Sequence, residues 1–313
     1  MKAMGVSEFG GPESLRILEL PVPEAGAGEI RIRVSAATVN PVDAMVRRGQ
    51  AFVFDAEPPY VPGMEAAGIV DQVGPGVRSG VSIGDRVSVI AVISGAHGAY
   101  AEYLVVPAES AVPAPRGASD AAAATLAMNG LTAQMALDLL QMPERGTVAV
   151  TGAAGAVGGY AVQLAQADGL RVIADAAPQD EQLVRDLGAD IVVARGADFA
   201  GQVREYAPQG VDGLVDSAGI AAGAARAVRD GGRVATSAGG QLADAERERG
   251  ITIQQTFVPD YAREHARLER LRQLADEGRL TLRVARILPA EQAVEAHRLL
   301  DQGGLRGRVV LIF

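Results

Sequence analysis

A chain of 313 residues, 48% hydrophobic with a mean hydropathy of +0.14, is long enough for two globular cores and too apolar to be disordered. Its net charge of -9 argues against nucleic acid and membranes as partners, no apolar run reaches membrane-spanning length, and Met1 leads directly into a strand-like stretch, so a cytoplasmic protein is expected. The absence of cysteine removes disulfides, thiolate nucleophiles and Cys-ligated zinc, and Lys2 is the sole lysine.

From residue 1 to about 115 the chain reads as short strands separated by Gly and Pro, over 1–6, 15–20, 30–37, 66–73, 86–92 and 99–106, which predicts an antiparallel domain. Residues 119–140 are rich in Ala and Leu at helical spacing, with Ser119 and Asp120 as the cap. Strands and helices then alternate: strand 147–151, helix 157–167, strand 170–174, helix 180–187, strand 191–193, helix 198–206, and strands 213–216 and 232–237. That alternation predicts an α/β fold with a parallel, doubly wound sheet. From residue 260 a helix carries Leu268, Leu271 and Leu274 on one face and stops at Gly278. A short helix over 291–300 and a strand over 308–313 are expected to complete the sheet of the first domain.

The chemistry concentrates at 147–166, TVAVTGAAGAVGGYAVQLAQ, where a strand period gives way to a helical one across glycines. Gly152, Gly155 and Gly158 sit where a chain must turn tightly, let a phosphate approach and pack a helix on its strand, and Ala153, Ala154, Ala156 and Val157 fill the turn and helix start. The free N–H groups of that helix end make an anion site, so dinucleotide binding is the reading, against a merely structural turn.

The motifs NPVDAMVRRG (40–49), PGMEAAGIVDQVGPGV (62–77), GDRV (84–87), NGLTAQMAL (129–137), GAAGAVGGYAVQLAQ (152–166), DLGAD (186–190) and GLRGRVVLIF (304–313) together resemble the zinc-free, zeta-crystallin-like quinone oxidoreductase branch of the medium-chain dehydrogenase/reductase superfamily. The resemblance covers essentially the whole chain in order. It implies a GroES-like antiparallel β catalytic domain over 1–117 and 260–313 and a Rossmann NADP(H)-binding domain over 118–259. It further implies hydride transfer from NADPH to a quinone or α,β-unsaturated carbonyl compound, and a homodimer joined near 240–257, where Ile251 and Ile253 fit a paired edge strand. The zinc-dependent relatives carry ligands where this chain has Asn40, Met64 and about Met128, none a plausible zinc ligand. No metal is therefore expected, the loop from 92 to 99 is too short for a structural zinc lobe, and the carbonyl must be polarised by hydrogen bonds.

By the same resemblance Asn40 hydrogen-bonds at the reacting centre, and Asp43 either acts there or only caps a helix. Where many relatives have a tyrosine after the counterpart of Gly49, this chain has Phe52, which cannot donate a proton; Tyr60 is the nearest alternative, or a packing residue. Glu65 is expected to be buried against an arginine in a structural role. Asn40, Met128, Thr132, Ser217 and Ala218 are expected to line the cofactor groove, together with Ser237, Ala238, Gly239 and Phe257. Arg308 matches a cofactor-facing cation. Asp175 falls inside the second strand, short of the place where an acid takes the ribose hydroxyls of NAD, and Ala177 holds the deciding position. Arg195 could clamp an adenosine phosphate, which favours NADPH over NADH.

Several decoys are set aside. GVSIG (80–84) spells a nucleophile elbow but lacks the strand before and helix after it. A short-chain-type Tyr and Lys pair is impossible with Lys2 alone. His97, His265 and His297 have no metal-like spacing; the latter two read as packed or solvated, and the Arg/Glu run over 263–277 as a solvated helix face. Two alternatives remain open: an enoyl reductase for one biosynthetic intermediate, and a low-turnover nucleotide-binding sensor or structural protein.

Overall fold

The computed structural model describes residues 1–50, 57–92, 97–196 and 198–313. Phe52, with most of the loop after Gly49, lies outside the described residues, as does most of the short loop after Val92. The chain forms two compact units, one of Met1–Met128, Pro259–Glu277 and Leu282–Phe313, the other of Asn129–Val258 and Gly278–Thr281.

The first unit begins with strands β1 (Lys2–Gly5) and β2 (Arg16–Glu19), which pair antiparallel on their own. Strand β3 (Glu29–Val39) follows, then helix α1 (Pro41–Arg47), β4 (Glu65–Val73), β5 (Arg86–Ile90), β6 (Tyr103–Pro107) and β7 (Ala111–Pro113). The GVSIG stretch leads into β5 with no helix after it, as expected of a turn rather than an elbow. Ile30, Ile32 and Val34 alternate inward along β3, and with Val70, Val87, Val89, Leu104 and Tyr100 they build the core of this unit.

The single helix expected over 119–140 is two. Helix α2 (Asp120–Ala123) starts where Ser119 Oγ accepts from Ala122 N–H at 3.2 Å, and α3 (Ala127–Leu140) starts anew. The break falls at Thr125, whose hydroxyl donates to the Ala122 carbonyl at 2.8 Å, a local bond of the kind that competes with helix propagation.

The second unit is a six-stranded sheet built from β8 (Thr147–Thr151), α4 (Ala156–Ala167), β9 (Arg171–Ala176), α5 (Glu181–Asp186), β10 (Ile191–Ala194), α6 (Phe199–Tyr206) and β11 (Val211–Asp216). A short α7 (Ala221–Ala224), β12 (Val228–Thr236), α8 (Asp244–Glu248) and β13 (Thr252–Gln255) complete it. Every neighbouring pair is parallel and the order is β10-β9-β8-β11-β12-β13. The chain therefore runs outward one way from β8 and then resumes beside it at β11, so the ends of β8 and β11 form the switch point where such sheets bind ligands. At the far edge, Ile251 is 3% exposed and packs in this unit's own core, while Ile253 is partly buried against it. Their apolar character thus has an explanation inside the chain.

The tail returns to the first unit as α9 (His265–Asp276), β14 (Val284–Pro289), α10 (Ala293–Gln302) and β15 (Arg308–Ile312). Leu268, Leu271 and Leu274 of α9 are buried, as their spacing indicates. Strand β15 joins the first sheet between β14 and β3, giving the order β14-β15-β3-β4-β5-β7 with β6 also on β3. This corrects the expectation of a purely antiparallel domain, because β14 and β15 are parallel and α10 is the crossover that such a pair requires. Among the described residues no helix is long and apolar enough to cross a membrane.

Candidate active site

In the first unit the polar residues gather where β3 runs into α1. Asn40 ends the strand in an extended conformation and Pro41, which has no N–H to leave unpaired, opens the helix. Asp43, three residues on, reaches back so that Asn40 N–H donates to its Oδ2 at 2.7 Å, and Gly63 N–H donates to its Oδ1 at 2.9 Å. The carboxyl is fully buried, and burial, aided by the nearby Glu65 charge, pushes it up to about 7 against the pull of those two N–H groups. Asp43 thus has the capping geometry, one of its two sequence-derived readings.

A second buried carboxylate, Glu65 on β4, accepts from Thr38 Oγ1 at 2.6 Å and Asn40 Nδ2 at 3.2 Å through Oε1, and from Met128 N–H at 2.7 Å through Oε2. Asn40 Nδ2 also donates to Thr38 Oγ1 at 2.8 Å. Burial raises the Glu65 carboxyl while Thr38, the Met128 N–H and Asn40 draw it back, helped by the charge of half-buried Arg308 on β15. Asn40, Met128 and Arg308 are therefore brought together around Glu65. Asn40 Oδ1 is buried and has no hydrogen-bond partner.

Tyr60 packs beside this network. Its ring stacks on Phe9 with centroids 5.1 Å apart, it packs against Val46 and Met64, and its backbone pairs with Val6. That is the packing alternative.

Sequence reasoning missed a buried chain behind Asp43. Tyr100 Oη lies 3.3 Å from Asp43 Oδ2 and 3.3 Å from His297 Nε2, and His297 Nδ1 is 3.3 Å from Arg47 Nη1. Arg47 Nη2 donates to Asp301 Oδ2 at 3.0 Å, and Asp301 Oδ1 accepts from Arg48 at 2.7 Å. Because Arg47 only donates, His297 carries its proton on Nε2 and Tyr100 donates to Asp43. Burial and the Arg47 charge lower His297 to about 3, so it is the packed, neutral histidine of the two readings.

In the second unit the glycine turn follows β8. Gly152 has φ +66°, a left-handed value that favours glycine, and Gly155 N–H closes the turn on the Gly152 carbonyl at 2.8 Å before α4 begins. A Cβ on Gly158 would lie 2.3 Å from Gly152 O and 2.7 Å from Gly152 C, so this glycine is needed for helix and strand to meet. Gly155 is different. Its φ of -75° and ψ of 177° suit any residue, and a Cβ there would meet only Gly152 O, at 3.1 Å. A side chain at 155 would press on the Gly152 carbonyl, and it would also stand where a ligand lying on the turn comes closest.

Around that turn, Ala153 N–H donates at 3.2 Å to Asp175 Oδ1, and Arg195 Nε donates at 3.0 Å to Asp175 Oδ2. Asp216, at the end of β11, accepts from Thr151 Oγ1 at 2.6 Å and from Ala218 N–H at 3.2 Å. Ser217 Oγ is buried without a partner. Ser237 N–H donates to the Asp216 carbonyl, and Thr236 Oγ1 links Ala238 N–H and Gly239 O, so the ends of β11 and β12 are tied beside the turn. Ala154 is buried, Ala156 and Val157 are half-buried at the helix start, Ala177 follows β9, Thr132 is buried on α3, and Phe257 is 43% exposed. A glycine kept open at 155 and an orphaned hydroxyl at 217, on the switch point of a parallel sheet, fit a dinucleotide. Among the described residues no group of three His, Asp or Glu side chains is placed to hold a metal ion.

Comparison with known proteins gives a consistent frame. Residues 26–116 match the family described as alcohol dehydrogenase GroES-like domain, and residues 187–311 the family described as zinc-binding dehydrogenase. A quinone-oxidoreductase homolog of the chloroplast of Spinacia oleracea is 34% identical over 230 residues, 68% of this chain and 69% of that protein. The chain spans less of other curated relatives, 50% of the human synaptic vesicle membrane protein VAT-1 homolog-like at 34% identity. A mycobacterial structure complexed with NADPH superposes with a TM-score of 0.87 at 31% identity, and an NAD-dependent alcohol dehydrogenase with 0.89 at 32%, each over 100% of both chains.

Proposed function

We propose, on the premise that the chain belongs to the quinone oxidoreductase branch of the medium-chain dehydrogenase/reductase superfamily, that it is an NADPH-dependent reductase of quinones or α,β-unsaturated carbonyl compounds working without zinc. The observation that carries the nucleotide part is the glycine turn at the switch point of the parallel sheet, beside which the buried Ser217 hydroxyl has no partner. The nicotinamide nucleotide, when bound, supplies the hydride. The turn from Gly152 to Gly155 and the N–H groups opening α4 hold its pyrophosphate, the Ser217 hydroxyl gains a partner, and the Arg195 guanidinium receives the adenosine phosphate.

The substrate class follows from what the first unit offers. Asn40, Met64 and Met128, at the positions where zinc-dependent relatives carry ligands, supply one amide and two thioethers, a poor donor set for a catalytic zinc ion. Without a Lewis acid, a carbonyl must already be electrophilic, as in a quinone or an enone. The test is NADPH oxidation followed by absorbance with a panel of small quinones and enones. Turnover across the panel supports the reading; retained NADPH binding with no turnover on any member rejects it in favour of a nucleotide-binding protein without this activity.

A further inference from the structure

Along the buried chain behind Asp43 every hydrogen points the same way. Arg47 has only donors, so it gives an N–H to His297 Nδ1, the His297 Nε2–H turns to Tyr100 Oη, and the Tyr100 hydroxyl turns to Asp43 Oδ2. There the carboxyl meets donors alone: Tyr100 and the Asn40 N–H on one oxygen, the Gly63 N–H on the other at 2.9 Å. All four side chains are buried away from bulk solvent. A proton added to Asp43 can be passed on only to the Tyr100 oxygen, because its other neighbours are N–H groups. Tyr100 then faces two hydrogens, that of Asp43 and that of His297, and its own has no acceptor among the described residues. Moving the His297 proton to Nδ1 frees Nε2 but sets Nδ1–H against Arg47 Nη1. Each arrangement puts hydrogen against hydrogen somewhere, so proton uptake at Asp43 costs the chain one of its bonds.

The charges around this centre come from several elements. Glu65 of β4 favours the Asp43 proton, Arg47 of α1 and Arg308 of β15 act on Tyr100, and Asp301 of α10 acts on His297 together with Arg47 and Arg48. Burial carries the Asp43 carboxyl up to about 7, which brings its proton uptake close to neutral pH. What the carboxylate holds is backbone, the amide of Asn40 where β3 turns into α1 and that of Gly63 just before Met64 and Glu65. A neutral carboxyl accepts from an N–H more weakly than a carboxylate does. We propose that Tyr100 is the moving part of a pH-sensitive latch: with Asp43 ionised its hydroxyl ties Asp43 to His297 and the Asn40 and Gly63 amides are held, and with Asp43 protonated that tie opens and both amides loosen. The latch lies wholly within the first unit and does not depend on which substrate the chain takes.

The experiment is nuclear magnetic resonance of the full chain with isotope-labelled histidine, from about pH 5 to 9, beside hydrogen exchange of the Asn40 and Gly63 amides corrected for its intrinsic pH dependence. The His297 ring signals are identified by their loss in His297→Gln, since His97 and His265 are the other two histidines. In the wild-type chain His297 is expected to be neutral with its proton on Nε2, and its ring signals to shift with a single midpoint as pH falls. Exchange at both amides is expected to quicken about tenfold through the same midpoint. In Tyr100→Phe the His297 shift is expected to vanish, while the exchange midpoint moves to higher pH because Asp43 has lost a donor that favours its ionised form. Asp43→Asn is expected to be flat in both readouts, and where it does not fold Tyr100→Phe carries the test. Either wild-type readout staying flat overturns the latch. So does a His297 shift that survives in Tyr100→Phe, which would assign the proton to another group such as Glu65, and so does an exchange midpoint that fails to rise in that variant.

Discussion

Arg195 Nε donates to Asp175 Oδ2 at 3.0 Å, and the carboxylate it holds is the one that also receives Ala153 N–H from the glycine turn. Asp175, which lies inside β9 and short of the place where an acid takes ribose hydroxyls, is thus occupied on both oxygens, by the turn and by a cation. The Asp175 side chain is 2% exposed and that of Arg195 42%, so the guanidinium reaches solvent with its charge only partly spent. Arg195→Ala is expected to weaken NADPH by about 1.5–3 kcal/mol, the range for a hydrogen bond to a charged group, with NADH little changed. Titration with both nucleotides checks this; equal weakening of the two would remove the 2′-phosphate assignment.

Gly155 and Gly158 separate binding from folding. Gly155→Val sets its Cβ 3.1 Å from Gly152 O in an extended backbone, a close contact that a small shift of the turn relieves, so the chain is expected to stay folded while losing NADPH binding. Gly158→Ala places a methyl 2.3 Å from Gly152 O and is expected to cost about 1–3 kcal/mol of stability with or without ligand. Thermal melts beside titrations resolve the two. Normal NADPH binding by Gly155→Val would show that the nucleotide does not lie on this turn.

Asp43 and His297 flank the Tyr100 hydroxyl and are moved by burial in opposite senses, to about 7 and about 3. From about pH 4 to 7 the folded chain retains the Asp43 proton that the unfolded chain releases, so this contribution to stability falls as pH rises. From about pH 3 to 6.5 the unfolded chain binds a His297 proton that the folded chain refuses, so that contribution rises with pH and is lost in acid. Over their shared window the two offset each other. The unfolding free energy of Asp43→Asn minus that of wild type is expected to rise with pH across this window, by at most about 1.4 kcal/mol per pH unit, and that of His297→Gln to fall. Urea titrations at a series of pH values measure both; flat differences would mean that neither proton affinity is displaced in the folded chain.

Strand β13 ends the six-stranded sheet with no strand paired to its outer side among the described residues, and pairing with a second copy would cover it. A homodimer is expected, with a light-scattering mass near twice 32.3 kDa. A mass near 32.3 kDa at micromolar concentration would count against it.

The turn at 152–158 was legible because two local signals coincide there, a change of hydrophobic period and glycines at its boundary. Strand β14 was not, because Leu288 is its one buried side chain and no alternation survives in the sequence. Thr38 shares a strand face with Asn40 two residues on, which is readable, yet its partner Glu65 lies 27 positions away and arrives only through the pairing of β3 with β4. The bond between Tyr100 and His297 spans 197 positions, a juxtaposition no local pattern encodes. Ile251 and Ile253 are ambiguous for the converse reason: apolar residues at an edge can be packed inward by their own unit as well as face a second copy.

Strand β15, set between β14 and β3, also orders events in time. A ribosome delivers the whole 129–258 stretch before residues 308–312, so the parallel sheet can assemble while the first unit still lacks an interior strand. Until residues 308–312 emerge, the backbone of β3 from Ala36 to Val39 has no antiparallel neighbour on that side, and Asn40 directly follows it. The second unit is therefore in a position to mature first, and the polar cluster around Asn40 last.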